Sequence, residues 1–178
     1  MTSPEMSGAS MSELHTLFEP AERIGAILRE RGETVAVAEG SAGGLISAAL
    51  LSVPGASAYY LGGAVIYTAA AVRAWIRGAV DTPPRLRGAT EEFATYLARS
   101  AAVRLGATWG LGEAGAAGPP NPYGDPAGHS WLAVTGPIEA SRNLLTGLDD
   151  RRENMVAFAA AGLALFAEVL TSTTGDAG

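Results

Sequence analysis

The chain has 178 residues, 48% of them apolar, and a formal net charge of −6, which supports one domain with a substantial core rather than two. All 12 basic residues are arginine and cysteine is absent, so a lysine base, a cysteine nucleophile, disulfides and thiolate metal sites are excluded. The acidic balance argues against a nucleic-acid surface, which carries a basic footprint, but leaves room for a small anionic ligand held by local amides and an arginine.

Residues 1–13 are mostly small and polar with little periodicity and read as a disordered tail, as do residues 172–178; the domain is expected over 14–171. No basic segment followed by an apolar one opens the chain, and no apolar run reads as long enough to span a bilayer. The default expectation is therefore a cytoplasmic protein with no membrane partner. Leu14, Leu17, Phe18, Ile24, Ile27 and Leu28 predict an N-terminal helix, adjusted at Pro20 and ended by Gly32. Val35 and Val37 begin a strand that runs into the turn Glu39-Gly40-Ser41-Ala42-Gly43-Gly44. A helix pattern follows at once through Leu45, Ile46, Ala49 and Leu50. Tyr59 to Thr68 reads as a strand weakened at Gly62-Gly63. Ala69 to Gly78 reads as a short helix with Val72, Trp75 and Ile76 on one side.

Thr90, followed by Glu91 and Glu92, marks a helix start, with the helix running to about Leu105. Thr108 to Gly112 predicts a short strand. Residues 113–128 are rich in Gly and Pro and read as one long functional or mobile loop. His129 to Val134 predicts a strand and Ser141 to Thr146 an edge strand. A last helix is expected over Arg151 to Leu170, capped by Asp149 or Asp150, with Met155, Phe158, Leu163, Phe166 and Leu170 apolar. Strands separated by helices give an α/β fold, a three-layer α/β/α sandwich in a single domain.

In open α/β sheets ligands sit beyond the carboxyl ends of the strands. The turn at 40–44 and the loop at 113–128 should then face each other across one cleft. The turn's free amides at a helix N-terminus favour an anion. Equally, Gly43 and Gly44 could serve only tight helix–strand packing, and both readings stand.

Several segments together resemble the C-terminal domain of the CinA proteins, also found as stand-alone nicotinamide-nucleotide amidohydrolases. They are Ala38-Glu39-Gly40-Ser41-Ala42-Gly43-Gly44-Leu45, Ser52-Val53-Pro54-Gly55, Leu61-Gly62-Gly63-Ala64-Val65-Ile66-Tyr67-Thr68, Gly88-Ala89-Thr90-Glu91-Glu92, Gly115-Ala116-Ala117-Gly118-Pro119 and Gly128-His129-Ser130-Trp131. The resemblance covers roughly residues 15 to 170. It implies a three-layer α/β protein, often dimeric. It also implies hydrolysis of the carboxamide of nicotinamide mononucleotide to nicotinic acid mononucleotide and ammonia, with no metal and no cofactor. Against that pattern the nucleophilic serine is Gly40, the threonine two residues on is Ala42, the lysine is Val72, and the hydroxyl before Gly115 is lost at Ala114. Tyr67 survives.

Each residue has a plainer role to weigh. Ser41 could be a nucleophile displaced by one position, but a helix N-cap is favoured. Tyr67 could contact a ligand or fill the sheet. Glu39 is better placed to orient the turn than to do chemistry. His129 has no carboxylate partner at recognisable spacing and His15 lies near the tail, so no metal site is expected. Glu113 and Asp125 flank the long loop and could pair, although loop acids are usually solvated. Arg151 and Arg152, poorly placed for the helix dipole, could meet a phosphate or a second subunit.

The expected protein therefore keeps a small-ligand pocket, suited to a pyridine nucleotide, with deamidase activity lost or much reduced. The pocket residues are Glu39, Gly40, Ser41, Gly43, Gly44, Tyr67, Thr68, Gly115, Ala117 and Gly118. One alternative is an active amidohydrolase using Ser41 and Tyr67; another is an interaction protein whose cleft has closed. Tyr59, Tyr60, Trp75 and Trp109 are expected to leave exposed apolar surface, pointing to a homodimer or higher even assembly.

Overall fold

In the computed structural model, residues 8–84 and 86–172 are described, with side chains from residue 15 onward. In chain order the elements are α1 (Gly8–Arg31), β1 (Val35–Glu39), α2 (Leu45–Ser52), β2 (Tyr60–Val65), α3 (Ala69–Ala71), α4 (Glu91–Leu105), β3 (Trp109–Ala116), β4 (His129–Thr135), β5 (Ala140–Leu145) and α5 (Arg151–Ser172). A 3₁₀ turn, Ala56–Ala58, precedes β2, and a π turn, Val72–Ile76, continues α3. The sheet order is β2-β1-β3-β4-β5. β1 runs parallel to β2 and β3; β4 and β5 are antiparallel additions.

Period-two alternation gives the sheet two apolar faces. Val35, Val37, Trp109 and Leu111 enter a large core with Leu17, Ile24, Leu28, Ile46, Phe158 and Phe166 from α1, α2 and α5. Ala36, Ala38 and Ala114 enter a thinner core with Ala94, Leu97, Ala98 and Ala101 from α4. The thinness has a steric cause. A Cβ at Gly110 would fall against the Ala98 carbonyl, and one at Gly112 against the Ala94 carbonyl. The two glycines let the backbone of α4 rest directly on β3, which makes the third layer of the α/β/α sandwich.

Several expectations change. The helix starts at Gly8, so residues 8–13 of the expected tail are helical; Ala9, Met11 and Glu13 are good helix formers. Residues 1–7 and 173–178 lie outside the described residues. β3 does not stop at Gly112 but runs to Ala116, because β1 and β4 flank it and supply ladder partners as far as Glu113 and Ala116. Trp75 does not pack inward with Val72 and Ile76; it is 65% exposed. Tyr59 and Trp109 are fully buried, with the Trp109 indole N–H donating to Glu33 at 2.7 Å. Asp150, not Asp149, caps α5 by accepting from the Arg152 and Glu153 amides. By length and composition α5 could cross a membrane, contrary to the reading of the apolar runs. Here Phe158, Leu163, Phe166 and Leu170 bury its apolar side in the core.

Candidate functional site

The three parallel strands end at one side of the sheet. The chain leaves β1 through residues 40–44, β2 through 66–68 and β3 through 117–128. Between these exits lies a cleft of about 480 Å³ lined by Gly40, Ser41, Tyr67, Thr68, Val72 and Gly115, among others. The turn and the loop thus share one cleft, as their positions after β1 and β3 require.

Two buried carboxylates build the turn. Glu39, at the end of β1, accepts from the amides of Gly44 (2.9 Å), Ile46 (3.2 Å) and Ser47 (3.0 Å) and from the Ser47 hydroxyl (2.6 Å). It therefore satisfies the free donors at the start of α2. The residue at the N-cap position is Gly44, with φ 101°, and Ser41 does not cap the helix. Glu113, on β3, is fully buried. One of its oxygens accepts from the Gly40 amide at 3.1 Å and the Ala42 amide at 2.7 Å. The other accepts from the Ser41 hydroxyl at 2.9 Å and the Ser130 hydroxyl at 2.7 Å. Burial pushes the Glu113 carboxyl above the usual carboxylate range; the Ala42 amide and the Ser130 and Ser41 hydroxyls oppose that, and the Glu39 charge adds to it. The amides of Gly40, Ala42, Gly44, Ile46 and Ser47 are thus occupied by the protein's own carboxylates, and a ligand's anion must be met elsewhere.

Arginine supplies the alternative. Arg73, Arg77, Arg87 and Arg151 all line the cleft, and no Asp or Glu does so among the described residues. Arg151 donates to the Gly118 carbonyl and, at 3.1 Å, to the Tyr67 hydroxyl; its guanidinium lies 5.8 Å from the Tyr67 ring centroid. That contact explains an arginine at an unfavourable position for the helix dipole. Arg87 donates to the Tyr123 carbonyl at 3.1 Å. Arg73 and Arg77 have no guanidinium partner among the described residues. Phe93 and Tyr123 add aromatic surface.

The far wall is pinned by Asp125, which is 6% exposed. It accepts from the Ala89 amide at 3.1 Å and the Asn121 side chain at 2.7 Å, and lies 3.6 Å from His129 Nδ1. A carboxylate four residues before His129 thus lies near its ring, although His129 Nδ1 makes no hydrogen bond among the described residues. Asp125 is not solvated, and the contacts of Glu113 are with the turn rather than with Asp125.

Of the residues singled out from the sequence, Gly40, Ser41, Tyr67, Thr68 and Gly115 line the cleft. Glu39 lies behind the turn, and Gly43 packs against Met155 and Gly44 against Val65. Ala117 and Gly118 are behind Pro119, their carbonyls bonded to Asn154 and Arg151. Val72 lines the cleft while packing on the thinner core. Sequence reasoning missed Glu113 as the partner of Ser41, and Arg73, Arg77 and Arg87. Arg73 lies in the π turn and Arg77 just beyond it, with φ −57° and ψ 133°, so helical spacing did not mark them as neighbours.

Similar proteins place the chain in a family. The chain is 37% identical over 128 residues to a CinA-like protein of Myxococcus xanthus, covering 70% of this chain and 30% of that one. It is 35% identical over 142 residues to a CinA-like protein of Salinibacter ruber, covering 79% and 34%. The chain thus spans about a third of the length of these relatives. Among solved structures, the competence/damage inducible protein CihA from Agrobacterium tumefaciens matches with a TM-score of 0.78 and 27% identity, over 88% of this chain and 96% of that one. A CinA superfamily protein from Escherichia coli, 19% identical with a TM-score of 0.78, shares the fold over 96% and 95% of the two chains. A profile of the CinA C-terminal domain matches residues 18–170, and the chain belongs to that family.

Proposed function

We propose that this CinA-family domain binds a small anionic, nucleotide-like ligand in its cleft, and that it has lost most or all of the carboxamide hydrolysis its resemblance implies. The observation that carries this reading is charge segregation. In a chain of net charge −6, four arginines and no acid among the described residues line one cleft. Guanidinium groups form paired, charge-assisted bonds to phosphate and carboxylate, and Tyr67, Phe93 and Tyr123 offer surface for a heterocycle. The cleft's volume lies within the range that holds small molecules, which disfavours a purely structural role. A Ser41–Tyr67 pair is also disfavoured, because the two hydroxyls are not bonded to each other: that of Tyr67 accepts from Arg151 and that of Ser41 donates to Glu113.

Thermal unfolding tests the reading. Nicotinamide mononucleotide or nicotinic acid mononucleotide at about 100 times its dissociation constant should stabilise the protein by about 2.7 kcal/mol. Arg87→Ala combined with Arg151→Ala should weaken binding by roughly two orders of magnitude, at 1.4 kcal/mol per tenfold. No shift with any nucleotide, or an unchanged shift in the double variant, would overturn it.

We also propose a homodimer formed across the open edge of β2. Among the described residues only β1 pairs with that strand, and Leu61 and Val65 are exposed along it. Tyr59 and Trp109, being buried, contribute nothing to this surface. An unpaired apolar edge invites pairing with another chain. Light scattering after size exclusion should give twice the chain mass at micromolar protein, and Val65→Lys should return a monomer. A monomer throughout would remove the proposal.

A further inference from the structure

We propose that Ser41 and Glu113 form a nucleophile–base pair able to hydrolyse an activated acyl ester bound in the cleft. This rests on the reading of the cleft as a ligand site. A hydroxyl becomes a competent nucleophile when a base lies within hydrogen-bond reach and is itself held by a third group. The Ser41 hydroxyl donates to Glu113 at 2.9 Å, and Ser130 holds the same oxygen at 2.7 Å. The amides of Ala42 and Gly40 fix the other oxygen. Those two amides would be enough for a carboxylate that only stapled the turn. The two hydroxyls are additional, and of the two serines only Ser41 lines the cleft. Gly115 keeps the adjoining space open, since a Cβ there would lie 2.7 Å from the Ser41 oxygen. The burial that raises the Glu113 carboxyl also moves it toward the range useful to a base near neutral pH.

The position of the base limits the substrate class. Glu113 has no exposed surface and meets the cleft only through the Ser41 hydroxyl. It can take the serine proton but cannot hand a proton to a departing amine. A carboxamide needs that proton as its C–N bond breaks, whereas an aryl oxide leaves without it. In the first step the Ser41 oxygen bonds to the acyl carbon and its proton passes to Glu113. The ester C–O bond breaks, and its electron pair leaves with the aryl oxide. Water then adds to the acyl carbon and the acyl–serine bond breaks. The Ser41 oxygen recovers its proton from Glu113, and the acid product releases its protons to solvent. The four arginines favour an ester that also carries an anionic group.

A fluorophosphonate probe followed by intact-mass and peptide-mapping spectrometry tests the pair. One adduct is expected, on Ser41, and none in Ser41→Ala. Labelling should slow by about a hundredfold or more in Glu113→Gln. In the wild-type protein, where no variant can misfold, the labelling rate should fall as acidification protonates Glu113. No adduct, an adduct elsewhere, a rate unchanged in a folded Glu113→Gln or a flat pH profile would each overturn the proposal. Nucleotide-induced stabilisation measured on the wild-type protein separates the two ideas. If it persists while the wild-type protein fails to label, only the nucleophile–base pair falls. If labelling succeeds without any nucleotide stabilisation, the nucleotide-ligand reading falls and the pair stands.

Discussion

Nicotinamide mononucleotide incubated with this protein is expected to release ammonia no faster than the uncatalysed background. Where the family pattern has its nucleophilic serine, Gly40 has no side chain, and Val72 stands in place of the lysine. The neighbouring hydroxyl of Ser41 is no substitute for amide hydrolysis, because its partner Glu113 is fully buried and cannot pass a proton to departing ammonia. Nucleophile and base act as a unit, and losing either in a serine hydrolase costs on the order of 10⁶-fold in kcat. The scaffold would still accept the missing groups. A Cβ at Gly40 would lie 3.4 and 3.5 Å from the Glu113 and Ile66 carbonyls and 4.0 Å from the Glu113 carboxylate, all ordinary contacts, and Val72 already lines the cleft. Gly40→Ser with Val72→Lys should therefore raise ammonia release above background, and neither change alone should do so. Release at ordinary enzyme turnover by the unaltered protein, abolished by Ser41→Ala, would reverse this expectation.

Replacing Glu113 with leucine should lower stability by about 3 kcal/mol. The Gly40 and Ala42 amides and the Ser41 and Ser130 hydroxyls would lose their acceptor together, and an orphaned buried donor costs about 1–3 kcal/mol. Part of that sum is offset, because a desolvated carboxylate is removed as well. In a domain of this size the change corresponds to roughly 6–12 °C in Tm. The pH dependence has a definite sign. The folded-state pKa of Glu113 is raised above its unfolded value, so between those two values the folded chain holds more protons. Its contribution to stability therefore falls as pH rises from the ordinary carboxylate range toward the raised folded value, and is flat above it. Wild-type denaturation midpoints followed across acidic to neutral pH should contain that component, and Glu113→Leu should lack it. Equal stability of the two proteins at neutral pH would show that the four contacts are replaceable.

Local pattern determined much of the architecture. The apolar pattern at Val35 and Val37 marked a strand, β1. Thr90 marked the start of α4 and accepts from the Phe93 amide at 3.3 Å. The period of Phe158, Leu163, Phe166 and Leu170 marked α5. Such signals are readable because they depend on residues a few positions apart. The segment 113–116 could not be assigned this way. Its glycine, its two alanines and its glutamate have little strand propensity, and only pairing with β1 and β4 makes it a strand.

The same distinction holds at the site. Gly40, Ser41, Tyr67, Thr68 and Gly115 were legible as cleft residues because each follows or ends a strand whose carboxyl end faces one side of the sheet. The partner of Ser41 was not, since Glu113 lies 72 positions away and reaches the turn only once β1 and β3 are parallel neighbours. The gathering of Arg73, Arg77, Arg87 and Arg151 has the same origin. The arginine-only composition was plain in the sequence, but the concentration of positive charge in one cleft arises when the segments after β2, before α4 and at the start of α5 converge. Sequence thus determined the strands, the turns and the absence of a lysine. Tertiary structure decided which acid holds the serine and where an anion is drawn, because both depend on contacts between residues distant along the chain.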